Sequence, residues 1–214
     1  MTDATEKVAF DKVTFFLAVV TLAAILGLGF VGFSPNRILT PKPITLWNAD
    51  ALGFALGIGA GAALMLAGAL LPQRILGERI TLAGAILLFL ADFAAAGTSA
   101  RDLIAAADSA AARVSLGGAF WALLVTSALT IAEALRRLRV SMALQALLAV
   151  ALFAVLTLMA TSGWFDDLSI VREWSNRREE YNAAFAQHLI LTLSALGLAL
   201  AIGLPLGIVA ANRP

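Results

Sequence analysis

Cysteine is absent from the 214 residues, which excludes disulfides, thiolate metal sites and cysteine nucleophiles. A single histidine, His188, is present, so a metal would have to be held by carboxylates, and these show no ligand spacing. No G-x-x-x-x-G-K-[ST] run occurs, so the chain does not itself cradle ATP phosphates, and energy for any work it does has to come from a partner. Charge is scarce as well. Charged residues make up 14% of the chain, the formal net charge is +1, and no run of lysine and arginine is long enough to make a basic face for nucleic acid. No enzyme site and no cofactor is expected.

Apolar sequence fills the space left by these absences. Hydrophobic residues are 61% of the chain and the mean hydropathy is +0.91, far beyond a soluble domain of this size. The expected class is an all-α, polytopic integral membrane protein with membrane lipid as its surroundings. Six apolar runs are read as spans, and the last of them is long enough at about 1.5 Å per residue to cross a ~30 Å hydrocarbon core. They cover residues 13–33, 51–71, 80–96, 116–135, 140–160 and 189–211, giving about six transmembrane helices.

The run 13–33 is longer than a signal-peptide core, its flank is not net positive and no clear A-x-A site follows, so it is read as a retained span. Residues 34–50, with three prolines and the interfacial aromatic Trp47, read as a loop. In the second run Gly53, Gly57 and Gly61 are spaced by four and share one helical face. Such a stripe permits close helix packing in lipid, which is preferred here over a gliding surface. Residues 72–79 read as a short turn. Asp92 falls near the end of the third run, where a carboxylate reaching the interface or a polar neighbour is preferred over a proton or substrate site.

Residues 97–115 are alanine-rich but carry Arg101, Asp102, Asp108 and Arg113, and read as a separate surface helix. Glu133 stands three and four residues before Arg136 and Arg137, which is ion-pair spacing on a helix. In residues 161–182, Ile170, Trp174 and Tyr181 recur at roughly helical spacing among many charges, which predicts an amphipathic surface helix. Trp164, Phe165, Trp174 and Tyr181 could cage a quaternary ammonium, though an interfacial aromatic belt explains them more simply.

Orientation follows from the basic residues. With the N-terminus inside, Lys7, Lys12, Arg74, Arg79, Arg136, Arg137, Arg139 and Arg213 are cytoplasmic, eight of the fifteen. The totals differ little, but the inner connections are short and dense, with three arginines between positions 136 and 139, so a cytoplasmic N-terminus is expected.

The final stretch, AQHLILTLSALGLALAIGLPLGIVAANRP, holds Gly203-Leu204-Pro205-Leu206-Gly207 inside an uncharged run. Pro205 removes a hydrogen bond to the carbonyl of Ala201, and Gly203 and Gly207 let a backbone come close, so a bent, packed helix is predicted. This stretch resembles the first core helix of the permease subunit in type I ABC importers, most nearly the osmoprotectant permeases of glycine betaine and choline type. GFSPNRIL, GGAFWALLVTSALTIAEALRR and SGWFDDLSIVREWSNRREEYNAAFAQH, which follow in that order along the chain, resemble a subgroup carrying an extra hydrophobic N-terminal region.

The resemblance implies a permease subunit, or the N-terminal half of one, importing compatible solutes across a bacterial inner membrane. It further implies a cytoplasmic ABC ATPase, an extracytoplasmic solute-binding protein and a second permease subunit as partners. The expected organisation is a five-helix membrane region over 1–160, an external amphipathic segment over 161–182, and the first helix of a truncated permease core over 183–214. The rival readings are a non-transporting membrane accessory protein and, more weakly, a proton-coupled carrier using Asp92 and Glu133.

Overall fold

Asp11 sets the start of the first helix: its Oδ1 accepts from the backbone N–H groups of Val13 and Thr14 at 3.1 and 3.2 Å. That satisfies donors a first helical turn leaves orphaned. The computed structural model describes residues 11–36, 38–49 and 51–211. Lys7, Arg37 and Arg213 of the charge count lie outside the described residues.

Helix α1 spans Lys12–Gly27, and Leu28 is already extended. The apolar run 13–33 is thus not one helix. The chain leaves it through Gly29, which lies so close to Pro43 that an added Cβ would meet the Pro43 Cβ at 2.6 Å, and enters strand β1, Val31–Ser34. β1 lies between β2 (Lys42–Ile44) and β3 (Arg113–Leu116) in a three-stranded antiparallel sheet, with Val31 opposite both Ile44 and Leu116. Residues 34–50 therefore hold half a hairpin and a 3-10 turn at Leu46–Asn48, not only loop. Pro43 is tolerated because β2 is an edge strand. Strands this short carry no readable alternation, and the β1–β3 pairing joins segments far apart in sequence.

Helix α2 (Leu52–Leu70) turns over three residues into α3 (Arg74–Ala105). The surface helix expected over 97–115 does not exist as a separate element. No proline interrupts the alanine-rich sequence, so α3 runs on to Ala105, and the rest forms a turn and β3. Its last turns are covered by the sheet side of the molecule, with Ala95, Ala96, Ser99 and Ala100 buried.

Helix α4 (Gly118–Arg137) packs on α1 and α3. It closes in a Schellman turn in which Val140 N–H donates to Leu135 O at 3.1 Å and Arg139 takes a left-handed φ of 53°. Helix α5 (Met142–Thr161) has no buried residue and touches the core only through half-buried positions such as Leu148 and Leu152.

The interior of α1–α4 is filled by Phe30, Ile58, Met65, Leu88, Phe120 and Leu123. Five described helices are long and apolar enough to cross a membrane: α2, α3, α4, α5 and the last helix, α7, while α1 is a shorter apolar helix. The molecule is thus a mostly helical, multi-pass membrane protein, with a small sheet added.

This first compact unit ends at Val171. Helix α6 (Ser169–Asn176) runs across that boundary, with Ile170 before it and Trp174 after it, whereas Tyr181 belongs to α7, Arg178–Ala211, in the second unit. The expected single amphipathic helix over 161–182 is thus split between a turn, α6 and the start of α7. At about 1.5 Å per residue α7 is roughly 51 Å long, and it stays helical through Pro205.

Candidate functional site

The seam between α2 and α3 is made of glycine. A Cβ on Gly61 would lie 2.8 Å from the carbonyl oxygen of Gly84, and one on Gly84 would lie 2.8 Å from that of Gly61. Gly68 and Gly77 repeat this reciprocal approach at 2.6 Å. Contact of this kind, backbone on backbone, is what small residues permit where apolar burial alone does not drive association. Of the sequence-selected stripe, Gly61 is in the seam, Gly57 faces the Ala91 methyl at 3.2 Å, and Gly53 has nothing within 4 Å. Gly68, Gly77 and Gly84 lie outside that stripe, yet Gly77 and Gly84 are seven apart and so share a face.

One end of the bundle is closed by ions. Glu133 pairs with Arg136 at 2.7 Å and with Arg137, as its spacing predicted. Arg137 reaches further: its Nη2 meets Asp11 Oδ1 at 2.9 Å and its Nη1 meets Glu78 Oε1 at 3.3 Å. One guanidinium thereby ties the start of α1, the start of α3 and the end of α4. Arg136 is exposed and Arg137 is mostly enclosed, so the two adjacent arginines do different jobs. No sequence spacing could show this, because the partners lie on three helices.

Asp92 is moved furthest from its expected place. It is fully buried in the middle of α3, about 20 Å of helix rise before Ala105. The expectation that it reaches an interface fails because α3 does not stop at Ala96. Neither carboxylate oxygen has a hydrogen-bond partner among the described residues, and the Ser99 hydroxyl, two turns on along the same face, has none either. The buried threonines of α1 and α4, by contrast, are satisfied within the bundle: the Thr21 hydroxyl meets that of Thr126 at 2.9 Å, and the Thr130 hydroxyl donates to Thr126 O at 2.7 Å.

The other end carries an aromatic cap. Trp164, in the turn after α5, donates from Nε1 to Ala94 O at 3.1 Å, meets Phe54 edge-on, and lies under the Arg101 guanidinium at 5.5 Å. Gly97 makes the slot, since any side chain there would collide with the indole. Phe93 touches both Phe120 and Phe165, and Ser169 Oγ donates to Val114 O at 2.8 Å to hold the segment against the sheet. Trp164 and Phe165 are thus engaged in the cap. In the second unit the ring of Trp174 is covered by Arg178 at 4.9 Å.

Within α7, Gly203 and Gly207 have nothing within 4 Å, and Pro205 sits between them in an exposed apolar helix. His188 lies on the same exposed helix. Among the described residues no group of three or more His, Cys, Asp or Glu could hold a metal ion.

These features describe a membrane-embedded helical domain with a sealed interior, followed by an apolar helix of different character. Residues 11–171 match the family described as the N-terminal domain of the ABC transporter permease YehY, and the chain belongs to that family. The match ends at the residue where the first compact unit ends. No curated protein and no solved structure matches the chain. Family membership makes this a membrane transport subunit of the ABC class and implies partnership with an ATPase and usually with a solute-binding protein.

Proposed function

We propose that the chain is the permease subunit, or its N-terminal portion, of an ABC importer for compatible solutes such as glycine betaine. It would act in a bacterial inner membrane with a cytoplasmic ATPase, an extracytoplasmic solute-binding protein and a second permease subunit. The carrying observation is α7. Directly after the family's domain comes a 34-residue apolar helix with Gly203-Leu204-Pro205-Leu206-Gly207 in its last turns and exposed side chains along its length. A helix of that kind needs lipid on one side and close helix neighbours at its glycines, as the first helix of a permease core would have.

The N-terminus is cytoplasmic in this reading. Asp11, Glu78 and Arg137 meet at one end of the bundle, and that end is the one followed by the dense arginines up to Arg139. The sheet and the Trp164 cap then face outward, and α7 runs from outside to inside. Reporters fused after Arg139 and after Arg172 should read cytoplasmic and external, and the opposite pattern at either site overturns the orientation.

Function is tested with the complete permease in proteoliposomes, its ATPase and its solute-binding protein. ATP-dependent uptake of labelled glycine betaine or choline is the expected result. ATPase stimulation by an unrelated solute, with neither of these transported, would leave a permease with another substrate. A non-transporting role for the 11–171 domain within that subunit is supported by its filled interior, and uptake should then survive in a permease whose Asp92 region is altered without unfolding.

A further inference from the structure

Asp92 is enclosed on all sides, and both of its oxygens lack a hydrogen-bond partner among the described residues. Glu78, the other buried acid, differs because Arg137 pairs with it. An isolated ionised carboxylate in such a place is far more costly than a neutral polar group.

Among the described residues no opposite charge stands close enough to compensate. Helix α2, LGFALGIGAGAALMLAGAL, has no titratable side chain, and neither does β1. The charges of α4 are Glu133, Arg136 and Arg137, bound to one another at the far end together with Asp11, next to Lys12. Arg113 belongs to β3, and Asp166 and Asp167 belong to the turn at Trp164, all at the opposite end. On α3 itself the nearest charge is Arg101, roughly 13 Å of helix rise away, and it is stacked on Trp164. The route from that end is covered by Phe93, Phe165 and the indole.

We propose that Asp92 is a proton-binding site of the bundle: α1–α4 close around it as the neutral carboxylic acid, and its proton leaves only when the packing around α3 loosens. In that event the O–H bond breaks, the electron pair stays on the carboxylate and the proton passes to water.

Infrared spectra of the full chain in lipid test this directly. A protonated-carboxyl C=O band, distinct from the carboxylate bands, should be present at neutral pH, shift slowly in heavy water, and vanish in Asp92→Asn. The same variant should keep the parent's melting temperature at neutral pH. Absence of an Asp92-dependent protonated-carboxyl band in the folded parent overturns the proposal. If Asp92→Asn does not fold, isotopic labelling of aspartate alone in the parent decides: an isotope-shifted protonated band supports the site, and only carboxylate bands overturn it.

Discussion

Helices α2 and α3 on one side and α7 on the other are all apolar and rich in glycine, yet they end in opposite situations. In the α2–α3 seam, Gly61 and Gly84 bring two backbones together, and Gly68 and Gly77 do so again. In α7, a Cβ on Gly203 or Gly207 would meet nothing within 4 Å, and apolar side chains such as Leu193, Leu198, Leu204 and Leu206 are exposed. Among the five span-length helices the two most apolar, α5 and α7, bury none of their apolar stretch, whereas α2, α3 and α4 are slightly less apolar and bury a third or more of theirs. In a lipid solvent apolar character sends a helix into the membrane, and small or polar residues decide which neighbour it takes.

The strongest way to break this comparison is at the ionic end. Arg137→Ala leaves Asp11, Glu78 and Glu133 without their shared cation, and removing one partner of an enclosed ion network costs about 3 kcal/mol or more. A marked fall in the thermal midpoint of the detergent-solubilised protein is expected. A midpoint equal to the parent's would mean that the bundle is held by its glycine seam alone.

Next in size, Gly61→Leu or Gly84→Leu forces a side chain into the facing backbone, with strain of about 1–3 kcal/mol or beyond. Gly203→Leu and Gly207→Leu should leave the melting of the 11–171 domain unchanged, and in a complete permease should lower uptake while insertion persists. Equal effects of the two pairs on domain melting would erase the distinction between a partnered and an unpartnered helix. Pro205→Ala restores a backbone hydrogen bond, so changed uptake without loss of stability is expected there.

At the capped end, Trp164→Phe keeps the apolar ring but loses the bond to Ala94 O and weakens the stacking under Arg101. The loss should be about 1–2 kcal/mol, read as a lower midpoint in urea or heat. Arg139→Gly acts in the other direction. Its left-handed φ of 53° strains a residue with a Cβ, so glycine should add up to about 1 kcal/mol. Arg136→Ala is the smallest, with no resolvable change in melting, because that side chain is exposed and Glu133 retains Arg137.

Composition and run length were enough to place this chain in a membrane as helices, to locate α2, α4 and α5 within a residue or two, and to pair Glu133 with its arginines. Each of these depends on solvent or on spacing along one helix, both written locally. Strands β1–β3, the length of α3, the reach of Arg137 to Asp11 and Glu78, the Gly97 slot for Trp164 and the enclosure of Asp92 were decided only by the tertiary structure. Each depends on a partner distant in the chain: a strand of four residues has no period of its own, a guanidinium does not announce which carboxylates it will meet, and a carboxylate is at an interface or in a core according to where its helix ends and what lies across from it.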